Sequence, residues 1–123
     1  MQKESNVDPE KLKRRTKEFA KQVIALGRRL PNTWEARLIG NQLFRAGTSV
    51  GANYRAACRA RSKADFIAKL GLVLEEADES LYWLEILDET GMTKTELVTP
   101  LMAEAKELVA IFVASLNTAK GKG

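Results

Sequence analysis

Residues 66–87, FIAKLGLVLEEADESLYWLEIL, step through Phe66, Leu70, Val73, Ala77, Ser80, Leu84 and Leu87 at alternating intervals of four and three. That series keeps one face of an α-helix inward for three heptads, whereas a strand would need a period of two. Ser62 stands where an N-cap hydroxyl belongs, Asp65 occupies the third helical position, and Gly91 follows Thr90 as a C-terminal glycine. The spacing predicts a helix over about 63–90. This helix carries more apolar surface than one seam uses. Ile67, Leu74 and Leu81 flank the seam, and Leu72, Tyr82, Trp83 and Ile86 lie further round. A lone bundle would leave part of that second group in water, and a contiguous apolar patch marks an interaction surface. Leu72, Tyr82, Trp83 and Ile86 are therefore the candidate interface of a homo-oligomer.

Working outward, the same periodicity predicts three more helices. The first runs over about 9–30, with Asp8 as N-cap, Pro9 at the first position and an inward series Leu12, Thr16, Phe19, Val23, Leu26, Leu30. The second covers about 34–60 on Ile39, Leu43, Ala46, Val50, Asn53, Ala57 and Ala60. Its core face is small, and each of Gly40, Gly47 and Gly51 costs about 1 kcal/mol relative to Ala, so close packing must compensate. The alternative is a break near residue 47 that makes two short helices. The fourth begins at about 94 or, with Pro100 in its first turn, at about 100, and runs to 118 on Leu101, Ala105, Leu108, Phe112 and Ser115 or Leu116. Pro100 favours the later start. The termini, including the tail AKGKG, are expected to fray. Short connections between long helices dictate antiparallel neighbours, so the expected fold is all-α: one domain over 1–123, an up-down-up-down antiparallel four-helix bundle that assembles as a closed homo-oligomer.

Composition removes whole classes of chemistry. The 123 residues contain no histidine, which excludes a His-based triad, a His general base and His-ligated zinc or di-iron sites. A single cysteine, Cys58, excludes an intrachain disulfide and fits a reducing compartment. Cys58 stands among Arg55, Arg59 and Arg61 but has no base to orient it as a nucleophile. Glu75, Glu76, Asp78, Glu79 and Glu85 read as a solvated acidic face rather than a metal site. GTSVG at 47–51 lacks the lysine and the preceding strand of a phosphate loop and reads as helix packing. No catalytic residue, cofactor or small-molecule substrate is expected, and the protein is read as non-enzymatic. No apolar stretch approaches the ~20 residues that span a bilayer, and the N-terminal residues carry charges where a secretory signal would be apolar. The expectation is a cytoplasmic protein with no membrane partner.

The charge distribution points instead to binding. The net charge is +4, yet residues 36–64 carry +6 with no acid at all and residues 65–107 carry −8. Arg55 and Arg59 share a helical face, Arg61 and Lys63 extend it into the following turn, and Lys17 and Lys21 of the first helix add to it. Such an array neutralises phosphates without reading sequence, and Tyr54 could stack on a base. The competing reading pairs the basic face with the acidic face of a neighbouring subunit. Beside the seam of the second helix, Gln42, Arg45, Ser49 and Asn53 form a polar row that should be partly buried and so must find partners. Glu76 and Glu79 of the third helix are the candidates, giving a structural network of Gln42, Arg45, Ser49, Asn53, Glu76 and Glu79.

The row Gln42, Arg45, Ala46, Ser49, Val50, Asn53, followed by Arg61, Ser62, Asp65 and Phe66, resembles the signature of the large-subunit rRNA intervening-sequence proteins, a four-helix bundle family. The similarity extends from Phe19 and the Leu30–Pro31 corner through EEADESLYWLEIL at 75–87. The resemblance implies a bacterial up-down bundle, a closed homopentamer and no established enzymatic activity. The chain is also distantly similar to the accessory protein of diversity-generating retroelements, which implies a basic pentameric barrel that binds nucleic acid and a reverse transcriptase. One position departs from the family pattern: Ala56 stands where the family usually has an acid, and if that acid is the usual partner of Arg45, this chain must draw on the third helix instead.

Overall fold

The computed structural model describes residues 8–121; the expected fraying of residues 1–7 and 122–123 lies outside them, whereas Ala119 of the tail is helical and Lys120 caps that helix. Among the described residues the secondary structure is four α-helices: α1 Pro9–Gly27, α2 Trp34–Cys58, α3 Lys63–Glu89 and α4 Thr95–Ala119.

The starts of α1, α2 and α3 have a local cause. The Asp8 carboxylate accepts the Glu10 N–H at 3.0 Å with Pro9 at the first position, Thr33 Oγ1 accepts from Ala36 N at 3.2 Å, and Ser62 Oγ accepts from Asp65 N at 3.0 Å. A cap of this kind contributes about 1 kcal/mol. α3 ends in a Schellman turn, with Met92 N donating to Leu87 O, Gly91 N to Asp88 O, and Gly91 at φ 73°.

Two boundaries differ from the sequence expectation. α1 stops at Gly27, three residues short of 30. Pro31 disfavours helix at Leu30. The chain turns through Arg29 N to Leu26 O and Leu30 N to Gly27 O, and Leu30 folds back onto Gly40. α4 starts at Thr95, so Pro100 lies inside the helix, and the later start is wrong. At the sixth helical position the proline forfeits one main-chain bond, the one to Glu96 O. The first turn is retained because Val98 is fully buried, Leu97 packs on the core, and Thr95 Oγ1 donates to Asp88 at 2.8 Å. α2 runs unbroken through Gly47, so there are not two short helices.

The register shows antiparallel neighbours. A β-carbon at Gly47 would lie 2.8 Å from Val23, and one at Gly51 would lie 3.2 Å from Thr16, so α1 and α2 run in opposite directions with their backbones close. Arg45 of α2 meets Glu76 and Glu79 of α3, and Arg15 of α1 meets Glu104 and Glu107 of α4. Burial raises the desolvation cost of the Arg15 cation, but the Glu104 hydrogen bonds outweigh it and hold its pKa above the usual guanidinium range. The core is the set of seams read above: Leu12, Phe19 and Val23; Leu43 and Val50; Leu70, Val73, Leu84 and Leu87; Leu108 and Phe112. Thr16 is fully buried with its hydroxyl returned to Leu12 O at 2.8 Å, and buried Ser80 does the same to Glu76 O. Ala36, one step before the predicted α2 series, and Tyr54, which lies off it, are buried as well. The Tyr54 ring lies 5.6 Å from that of Phe112.

Candidate functional site

Two surfaces come out of this packing, both on the outer side of the α2–α3 pair. The first is apolar. Leu72 and Tyr82 are exposed at 48% and 52%. Trp83 and Ile86 are half-buried, and Trp83 rests on the core with its ring edge-on to Tyr82 at 4.9 Å. Trp83 Nε1 donates to Glu79 Oε2 at 3.1 Å. Other exposed apolar residues were not singled out from the sequence: Trp34 at 68%, Leu38 at 56%, Phe44 at 53% and Val113 at 41%. Trp34 and Leu38 are one turn apart on the outer side of α2, and that spacing was their available signal. Leu38 precedes Arg45 by seven residues and Ile86 follows Glu79 by seven, so antiparallel pairing sets Leu38 and Ile86 at the same height.

The polar row lies between. Arg45 pairs with Glu76 Oε1 at 3.4 Å and with Glu79, while Glu79 also receives the Trp83 indole. Its side chain is 50% exposed and Gln42 is exposed, so the row is less buried than its spacing suggested. The Ser49 hydroxyl turns back to Arg45 O at 2.6 Å and does not reach α3. Asn53 is half-buried. Glu76 and Glu79 thus supply the counter-charge to Arg45.

The second surface is basic. Arg55 lies in the last turn of α2, Arg59 is its C-cap, and Arg61 and Lys63 lie in and just after the turn into α3; all four are exposed. None of the four is in an ion pair among the described residues. Asp65, the acid nearest to them, is held below the usual carboxylate range first by Lys69, whose ammonium it accepts at 2.6 Å, and then by the Arg61 N–H. Lys17 and Lys21 are exposed but stand apart. They are level with Gly51 and Gly47, about 12 and about 18 Å along the axis from Arg59, and Lys21 also reaches Glu18 at 3.5 Å. The six cations form two groups, of which the α2–α3 turn is the denser. Tyr54 is buried against Phe112 and does not present its ring to a base. Burial first, and the adjoining Cys58 second, push its phenol above the usual range.

Among the described residues no group of three or more potential metal ligands converges, and no helix is long and apolar enough to cross a membrane. No curated protein matches the chain. A crystal structure of a protein of unknown function from the S23 ribosomal protein family of Bacteroides thetaiotaomicron is similar at a TM-score of 0.81 and 34% identity, covering 89% of this chain and 97% of that one. The model of the 23S rRNA-intervening sequence protein family matches residues 10–114, from the first turn of α1 deep into α4. A match over all four helices, with Arg45, Ser49 and Asn53 inside it, places the chain in the 23S rRNA-intervening sequence protein family.

Proposed function

We propose that the protein is a non-enzymatic helical bundle that assembles as a closed homopentamer and engages RNA or a ribonucleoprotein. The contact surface is the basic turn repeated around the ring. The observation that carries the reading is the exposed cluster Arg55, Arg59, Arg61 and Lys63 at one end of the bundle, none of them in an ion pair among the described residues. An array of Arg and Lys neutralises phosphates without reading sequence, so binding is sequence-tolerant and salt-sensitive. Repetition in a ring turns a few weak contacts per chain into avidity. Assembly is supported by the apolar face of Leu38, Leu72, Tyr82, Trp83 and Ile86, which extends beyond what the core covers. The test is a salt titration of RNA binding by the parent and by the Arg55, Arg59, Arg61 triple-Ala variant. Each phosphate contact contributes a slope of about −0.7 in log K against log salt on single strands, so the variant should lose about 2 units of slope for each chain engaged. Equal slopes refute the assignment of the surface.

A second reading, a protein-interaction scaffold without nucleic-acid affinity, is favoured by Trp34, whose 68% exposure lies at the opposite end of α2 from the cations. It predicts that the triple variant loses assembly and that the parent shows no RNA affinity at any salt concentration.

A further inference from the structure

α1 and α4 do not match in length at the end where α1 begins. Arg15 is level with Glu104 and Glu107, and the helices run antiparallel. From there α1 continues six residues to Pro9, whereas α4 continues twelve from Glu107 to Ala119. At 1.5 Å per residue α4 outreaches α1 by ~9 Å. α1 begins there, with Asp8 as its N-cap in extended backbone at ψ 114°. The ends of α2 and α4 and the start of α3 therefore surround a position that no helix of the described chain fills. An open groove of about 1080 Å³ lies there, with Leu12, Tyr54, Cys58, Phe66, Leu70 and Ile111 among its walls.

The charges around the groove are predominantly positive. No carboxylate lines it, Lys13 does, and Arg59, Arg61 and Lys120 adjoin the lining residues Cys58, Ala60 and Ala119. Three acids also adjoin the lining, each with a partner within the chain: Asp8 caps α1, Glu10 pairs with Lys13 at 3.2 Å, and Asp65 pairs with Lys69. We propose that this groove seats a short amphipathic helix of a partner protein, its apolar face completing a local four-helix arrangement and its acidic flanks meeting Arg59, Arg61 and Lys120. A helix is the fitting shape because the gap is a helix position, and an acidic one because the rim is cationic.

Cys58 is the chain's single cysteine and lines the groove, so its alkylation reads occupancy directly. The probe is a short synthetic helical peptide with leucines on one face and glutamates on the other, added to the full-length protein before a maleimide. At a peptide concentration about ten times Kd roughly a tenth of the grooves stay free, so alkylation should slow about tenfold. Anisotropy of the labelled peptide should show binding lost in Ala114→Trp, with the far-ultraviolet circular dichroism of the variant unchanged. An unaltered alkylation rate, equal protection by a scrambled or lysine-for-glutamate peptide, or undiminished binding to Ala114→Trp overturns the proposal. Two further outcomes overturn it by naming another occupant: faster alkylation without peptide when residues 1–7 are deleted assigns the groove to the chain's own N-terminus. Alkylation that slows with protein concentration assigns it to a second copy.

Discussion

Substituting Gly47 by Ala tests the closeness of α1 and α2. In a helix interior the change from Gly to Ala is worth about 1 kcal/mol of stability by propensity. At position 47 the new β-carbon would lie 2.8 Å from Val23 Cγ2, 3.0 Å from Cγ1 and 3.2 Å from Cβ. Carbon pairs prefer about 3.5–4.0 Å. Val23 is 1% exposed, and a β-branched residue in a helix has one strongly favoured rotamer, so it cannot turn aside. The helices must separate, at an overpacking cost of about 1–3 kcal/mol. The net expectation is a destabilisation of about 1 kcal/mol. Gly71 is the control, because it lies inside α3 with nothing within 4 Å of a β-carbon; Gly71→Ala should stabilise by up to about 1 kcal/mol. Urea unfolding followed by circular dichroism at one fixed protein concentration compares the two, the fixed concentration removing any effect of association on apparent stability. If Gly47→Ala is as stabilising as Gly71→Ala, the close approach of α1 and α2 is wrong.

Arg45→Ala should destabilise by about 1 kcal/mol or less, because a half-exposed pair is screened by water; a double-mutant cycle with Glu79→Ala measures the coupling, and a loss of several kcal/mol would show the pair to be buried in an assembly. Asp65 has its carboxyl pKa lowered in the folded chain, so its contribution is present above the unfolded value and is lost as pH falls through the folded one. Asp65→Asn should accordingly flatten the acid limb of the stability profile, and an unchanged acid limb contradicts this. Tyr82→Glu places a charge on an exposed ring position outside the core and should dissociate the assembly while leaving helix content intact; a retained oligomer would move the interface elsewhere.

The seams of α1 and α3 were legible because the four-three series is a direct consequence of helical geometry, and Leu12 to Leu26 and Leu70 to Leu87 are buried as that series requires. The same series misassigned Leu30, since periodicity cannot separate the last helical residue from one that turns back onto the core after the helix has ended. Pro100 was read as a start signal because local geometry was weighed alone; burial of Val98 and Leu97 offsets one missing hydrogen bond, and that term is tertiary. The basic turn could be seen in advance as a run without acids. Separation of Lys17 and Lys21 from it could not, because it depends on which residues of α1 stand level with Gly47 and Gly51. Trp34 and Leu38 were overlooked because a seam search ranks what faces inward, and these two face outward.

Light scattering with two-wavelength absorbance on the purified protein at low salt tests the central claim most directly, since one run gives both subunit number and bound nucleic acid. The account predicts a mass near five times the 13.7 kDa of one chain with absorbance in excess of protein at nucleic-acid wavelengths. A monomer with a pure protein spectrum would contradict it.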